Sequence, residues 1–428
     1  MRRFTYALLP FVLFCVSGTP VHSQAVDTST KTPQNPSTSA LTDKAAFPVD
    51  SAASPVENSK PSAAAETATN ELVRDVVRWD RYLNTWGIDP HFSIKTEASA
   101  IFAGAAHSQR MDARNLFELS ANVDLEKAVH WRGASVYASM HNFVGGNGSD
   151  DLSDDIQVYS NISAAQKTQL FEFWFQQNLL SGKLRFKAGK IDANTEFAFA
   201  DNAGGFLNSS MGFSPTVSDF STYPSPRLGA AVFLKPQKFL YLSTSVFRND
   251  PSGVMSVSEA GLRWNLYASE LPGHVAYGYW LHTQTYLDQN QYVHSGAAGH
   301  YVVAEQALWR PHSSAEGGRN IGTFFQYGNA DPWSSDIDRH FGAGLQWTGP
   351  LSQRPGDQAG VGISFVHLHP DDSGNSLGDH ERVADAFYKF QVKRWLALTA
   401  DMQFIDHPNG DPARPRALVG SLRSTVSF

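Results

Sequence analysis

Thiols are all but missing from this chain of 428 residues: its one cysteine is Cys15. Cys15 lies in an apolar run from Ala7 to Val16, behind Arg2 and Arg3, and small residues follow near Ser23 and Ala25. That is the layout of a secretory leader. The run is about half the length a membrane helix needs and carries Pro10, so cleavage is expected, with residues 1–23 as the signal peptide. Phe14 is too bulky to favour lipoprotein-type cleavage before Cys15. A mature chain without cysteine has no disulfides and no thiolate-bound zinc, and redox chemistry is nearly excluded. Its stability must come from a large core or a closed sheet. Beyond the leader no apolar run approaches membrane length, which excludes membrane-spanning helices. Surplus positive charge is missing too: 34 Lys and Arg face 41 Asp and Glu, for a net charge of -7. The chain becomes more acidic still when Arg2 and Arg3 leave, so no nucleic-acid partner is expected. Neither a GxxxxGK[ST] phosphate loop nor a GxSxG nucleophile elbow is present.

What the chain does have is 33 glycines, 12% aromatic residues and long stretches of alternation. Residues 24–70 are rich in Ser, Thr, Ala and Pro with Phe47 as their single aromatic, and are expected to form a disordered tether. Over 71–90 a short helical or linking segment is expected, because Leu72, Val73, Val76, Val77 and Trp79 recur near helical spacing before Gly87 and Pro90. From 91 to 428 the period becomes two. Phe92, Ile94, Ala98, Ala100 and Phe102 oppose Ser93, Lys95, Glu97 and Ser99, and Phe117, Leu119, Ala121 and Val123 oppose Arg114, Glu118, Ser120 and Asn122. Similar dyads recur at Leu240, Leu242 and Val246, at Phe341, Ala343, Leu345 and Trp347, and finally at Leu418, Leu422, Val426 and Phe428.

A soluble sandwich and a membrane barrel both produce such dyads. Near-continuous strand over this length, with no helical periods for βα units, is too long for an ordinary single sandwich. The fold class read from the pattern is therefore all-β, a transmembrane antiparallel β-barrel. At roughly 20 to 22 residues per strand and connection it has about 16 to 18 strands, the size that keeps an aqueous lumen. Trp79, Trp131, Tyr279, Trp280, Trp309, Trp333, Trp347 and Trp395 are candidates for interfacial girdles.

The densest stretch runs from Gln169 to Gly212. Phe171, Phe173 and Phe175 alternate with Glu172, Trp174 and Gln176, and after a turn at Ser181 and Gly182 comes a strand with Lys183, Arg185 and Lys187 on one face. If the phenylalanines face lipid, Glu172, Trp174, Gln176, Arg185 and Lys187 line the lumen and set a transverse field across a constriction. Trp174 would then offer its face to the C–H face of a sugar while Glu172 or Arg185 bonds hydroxyls. Removing Glu172 or Arg185 should alter selectivity. Each of these charges could equally well solvate a polar interior or bridge neighbouring strands. His367, His369, Asp371 and Asp372 suggest a metal site, but a turn at Pro370 explains them as a strand-end loop. No cofactor is expected.

The wording itself is recognisable. Residues 170–216, LFEFWFQQNLLSGKLRFKAGKIDANTEFAFADNAGGFLNSSMGFSPT, resemble the carbohydrate-selective porin (OprB-type) family, as do YPSPRLGAAVFLKP at 223–236 and the segments 395–410 and 417–428. The resemblance implies a 16-stranded outer-membrane porin, a homotrimer, passing monosaccharides and polyols by facilitated diffusion, in contact with outer-membrane lipid and lipopolysaccharide. It also implies that Asp192, Asn194, Phe206, Leu207, Asn208 and Ser209 belong to a family pattern that folds inward as a constricting loop, with a plain extracellular loop as the rival. The chain departs from the family at Ala400, where proline is usual, at Asn409, where glycine is common, and at Asp385, where glutamate is usual. A general or ion-selective porin, an outer-membrane enzyme and a plugged structural barrel are the competing functions. An anion channel needs a surplus of inward Arg and Lys, and acids and bases are mixed in this stretch.

Overall fold

The computed structural model describes residues 78–428, apart from 105–110, 147–154, 218, 250–252, 267–270, 288–291, 312–317 and 370–378. The expected leader at 1–23, the tether at 24–70 and the first part of 71–90 lie outside the described residues, as do Asp371 and Asp372.

A helix over 78–85 (α1) leads into sixteen strands. The first eight are β1 Ile88–Ala103, β2 Met111–Asp124, β3 Ala134–Gly145, β4 Lys167–Leu179, β5 Leu184–Ile191, β6 Arg227–Gln237, β7 Leu240–Arg248 and β8 Val254–Leu266. The second eight are β9 Leu271–Leu287, β10 Val293–Trp309, β11 Asn320–Ala330, β12 Ile337–Thr348, β13 Gln358–Leu368, β14 His380–Lys393, β15 Leu396–Asp406 and β16 Ala417–Ser427. Each pairs antiparallel with its sequence neighbours, and β1 pairs β16 from Ser93↔Ser427 to Ala103↔Leu418, so the barrel closes. Closure satisfies every edge N–H and C=O, which a hydrocarbon environment demands. No helix among the described residues is long and apolar enough to cross a membrane; the strands do the crossing.

Alternation fixes the two faces. On β1, Ser93, Glu97, Ser99 and Ile101 are buried inside, and Phe102 is exposed outside. On β12, His340 and Gln346 turn inward while Phe341, Leu345 and Trp347 turn out. The exposed large side chains form an apolar outer belt, with Trp79, Trp86, Trp131, Phe239, Trp309 and Trp347 at the end that carries α1 and Phe428. Two girdle candidates do not belong to it. Trp280 is 0% exposed: Tyr279 beside it points outward, so the period of two turns Trp280 inward. Trp333, in the β11–β12 loop, stacks on His294 at 4.2 Å and packs against the interior cluster.

Alternation also breaks once where it matters. The register of β3 with β4 shifts from Ser139↔Glu172 to Met140↔Leu170, leaving Phe171 unpaired in a bulge. Two consecutive side chains, Phe171 and Glu172, therefore point inward. Phe173 faces outward as expected, but Phe171 stacks on His141 at 3.7 Å inside the barrel.

The interior is filled from one end only. The β3–β4 connection (described from 155) and the long β5–β6 connection, 192–226, both enter the lumen at the end opposite α1 and Phe428. Their buried side chains, among them Tyr159, Phe197, Phe206 and Met211, make an apolar cluster with inward residues of the wall such as Phe247, Trp280, Tyr301 and Phe324.

Candidate functional site

Five inward carboxylates hold these connections by their backbone N–H groups. Glu172 on β4 accepts from Asp192 N at 2.9 Å, Glu259 on β8 from Ala198 N at 3.0 Å, and Glu305 on β10 from Asp201 N at 3.0 Å and Asn202 N at 2.5 Å. Asp385 on β14 accepts from Asn208 N at 3.3 Å, and Glu381 on the same strand from Ile156, Gln157 and Asn409 N at 3.0, 3.0 and 2.7 Å. The chain order of the loop, 192, 198, 201, 208, follows the strand order β4, β8, β10, β14. The loop is thus laid across the lumen from the β5 wall to the far side. It returns to β6 past His340, which bonds Ser214 Oγ at 3.0 Å and Ser364 Oγ at 3.0 Å. Charge-assisted bonds of this kind are worth about 1.5–3 kcal/mol each, against about 1 for neutral ones.

The wall is shaped to let these anchors work. Tyr241 and Tyr301 lie flat along it and donate their hydroxyls to Glu259 at 2.9 and 2.7 Å. They lie flat because glycine is beneath each ring: a Cβ on Gly261 would meet Tyr241 at 2.1 Å, and one on Gly278 would meet Tyr301 at 2.0 Å.

Where the loop leaves β5 it meets the opposed charges. Glu196 takes both Arg185 nitrogens, at 2.9 and 2.6 Å, and Lys187 Nζ at 2.9 Å. Lys187 lies over the Trp174 ring at 4.0 Å, and Trp174 stacks on Tyr137 at 4.9 Å and donates its indole N–H to Glu172 at 3.2 Å. Gln176 accepts from Arg185 at 3.1 Å. Burial pushes the Glu196 carboxyl up, but Arg185 and Lys187 outweigh it and hold it below its ordinary value. Glu196 therefore keeps its charge to a lower pH than a free carboxylate does. Beneath it, toward the end that carries α1 and Phe428, opens a cavity of about 710 Å³ lined by Arg185, Glu196, Phe199, Asn202, Glu259 and Glu305 among others.

Of the eight side chains singled out in the sequence, Glu172, Trp174, Gln176, Arg185 and Lys187 meet at this point, and Arg185 reaches the cavity. Asp192 and Asn208 work differently, as caps: Asp192 Oδ1 accepts from Asn194 N at 3.1 Å, and Asn208 caps a short helix, Ser209–Gly212, through Ser210 N at 2.9 Å, while the Asn194 amide donates to Phe197 O at 3.3 Å within the loop. The acid and base do not pair across β4 and β5 as expected. Glu172 turns to the loop, and both cations turn to Glu196, which the sequence reading passed over although it lies in the quoted stretch. Glu259, Glu305 and Glu381 were missed as well. Their only signal is a lone acid at inward parity among small and aromatic neighbours, as in VSEAGL.

Asp192 sits just past β5, and burial drives its carboxyl up to about 7, with Glu172 adding to the effect and the Thr222 hydroxyl opposing it. A raised carboxyl favours the folded loop fully below about pH 4 and loses that contribution as pH rises through about 7. Asp192→Asn keeps the acceptor oxygen and removes the charge. Limited proteolysis of 192–226 should show the variant better protected than wild type at pH 8, by about 2–4 kcal/mol in local opening, and equal to it at pH 4. Equal protection at both would mean that Asp192 is not buried as described.

A family model described as the carbohydrate-selective porin, OprB family, matches residues 108–428. The chain belongs to this family. Porin B of Pseudomonas aeruginosa is 23% identical, over 73% of this chain and 81% of that one. The high-pH structure of Pseudomonas putida OprB superposes with a TM-score of 0.74 at 21% identity, covering 83% of this chain and 97% of that chain. The low-pH structure of the same protein gives 0.53 at 19% identity, covering 86% and 97%. At these identities the structures show a shared barrel. Family membership places this OprB-type porin in the bacterial outer membrane and makes it a sugar channel. Barrels of this class put short turns on the periplasmic side and longer loops outside, so α1, Phe428 and the 710 Å³ cavity face the periplasm, and the 192–226 loop enters from outside.

Proposed function

We propose that this porin passes monosaccharides and polyols passively, with no chemical step and no energy coupling, and that the Arg185–Glu196–Lys187 triad beside Trp174 is its selective constriction. The observation that carries the proposal is the loop laid across the lumen, which forces solutes past paired charges and an aromatic ring. A sugar replaces hydration bonds with donors on Arg185 and acceptors on Glu196, which line the cavity, and its C–H face meets an aromatic face. Arg185 and Lys187 balance Glu172 and Glu196, which gives strong local dipoles without a net charge that would bias toward one ion. The same reading includes a homotrimer, an export leader cleaved after residue 23 and a tether at 24–70; native mass and N-terminal sequencing test these.

Liposome swelling with the purified protein is the direct test. Monosaccharides should enter faster than amino acids of equal size, and disaccharides far more slowly. Influx ranked by size alone would make this a general porin, and no influx would leave a plugged barrel. Arg185→Ala frees Glu196 from one partner and removes up to five donors. It should cut the preference for glucose over an equally small amino acid by about 5-fold, the loss of roughly one hydrogen bond in the rate-limiting passage.

A further inference from the structure

Charge in the periplasmic cavity is unevenly occupied. Glu196 is held by Arg185 and Lys187, Glu259 by two tyrosine hydroxyls and a backbone N–H, and Glu305 by two backbone N–H groups. Lys235, Lys238, Arg263 and Arg310 line the same cavity, are exposed to solvent, and make no ion pair with any described carboxylate. Of the lining carboxylates, Asp201 alone has a side chain that accepts from no described donor. Lys183 joins Lys235, Lys238 and Arg263 in an adjoining cavity of about 340 Å³. These cations come from the β4–β5 turn, the end of β6 and the turn after it, the end of β8 and the residue after β10, which all lie at the end carrying α1 and Phe428. Arg263 has its guanidinium over the Tyr241 ring at 5.1 Å, which orients its plane and leaves its fork of N–H donors free.

We infer that this vestibule is a binding subsite for monosaccharides carrying one carboxylate or phosphate group, so that the channel passes acidic sugars faster than neutral sugars of the same size. The inference rests on the porin reading. Its chemistry is that of an anion meeting several unpaired cations in a confined lumen, with a planar guanidinium placed for a bidentate grip and tyrosine beside it for the sugar ring. The paired constriction above discriminates by shape and hydroxyl pattern; the unpaired charge below discriminates by sign.

The test compares initial uptake of labelled glucose, gluconate and glucose 6-phosphate into proteoliposomes at low salt, for wild type and for the Lys235→Gln/Lys238→Gln/Arg263→Gln variant. These side chains are exposed and make no ion pair with a described carboxylate, and the one ring contact, Arg263 over Tyr241, lies outside the strand ladders, so the barrel should fold unchanged. Wild type should take up gluconate or glucose 6-phosphate faster than glucose. The variant should lose about 5-fold on the acidic sugars and less than about 2-fold on glucose, with the gap narrowing in 1 M salt, where the screening length is about 3 Å. A loss confined to gluconate identifies the carboxylate as the ligand group, and one confined to glucose 6-phosphate identifies the phosphate. Acidic sugars no faster than glucose in wild type, or an equal loss for all three solutes in the variant, would overturn the inference and leave the porin reading standing. Vesicles that admit none of the three would overturn both.

Discussion

The Glu259→Ala/Glu305→Ala variant is expected to conduct at least about 2-fold better than wild type in planar bilayers and to lose its discrimination between glucose and a disaccharide. Together these two carboxylates accept three loop N–H groups and two tyrosine hydroxyls. At about 1.5–3 kcal/mol for each charge-assisted bond, their loss exceeds the few kcal/mol that typically separate a packed loop from its open state. The ladders on either side of β8 and β10 do not involve these side chains, so the barrel should still close and migrate as a folded species. Glu305→Gln, which retains one acceptor oxygen, should give a smaller rise. Unchanged conductance in the double variant would mean that Asp385, His340 and the apolar cluster around Phe206 hold the loop without help.

That pair also marks the limit of what the sequence tells. The alternation along β1, β2, β12 and β16 carried the fold, because a period of two with charge on one face and bulky apolar groups on the other has few homes in a chain with a single cysteine and no helix-length apolar run. The proposed constriction was half legible. Glu172, Trp174, Arg185 and Lys187 share an inward parity on adjacent strands, and the structure brings them together. Their pairing was not legible, since Glu196 reaches back to Arg185 and Lys187 from an irregular loop whose course depends on anchors as distant as Glu259, Glu305 and Asp385. The bulge at Phe171 was equally hidden, because it exists only in the register between β3 and β4. A run of alternating residues does not announce where a partner strand skips one.

Glu97→Ala should cause the largest loss of stability of any single substitution considered. Glu97 is fully buried between β2 and β16: Arg114 Nη1 approaches at 3.2 Å, and Arg423 donates through Nε at 2.6 Å and Nη2 at 2.5 Å. It thus ties the first strand to the last, across the seam that closes the barrel. Removing it strands the buried Arg423 guanidinium, a change that costs about 3–5 kcal/mol. Arg114 keeps an ion pair with Asp112 and hydrogen bonds to Tyr159 Oη at 2.6 Å and Ser163 Oγ at 3.0 Å. Arg423 is left with Ser160 Oγ at 3.4 Å, a weak substitute for a carboxylate. Urea unfolding in lipid, followed by tryptophan emission, should place Glu97→Ala and Arg423→Ala each well below wild type. The double variant should lose about 2 kcal/mol less than the two singles combined, because the second substitution removes a charge the first had left unpaired. Simple additivity would mean that Arg423 is held by Ser160 and solvent instead, and that the seam closes on its backbone ladder alone.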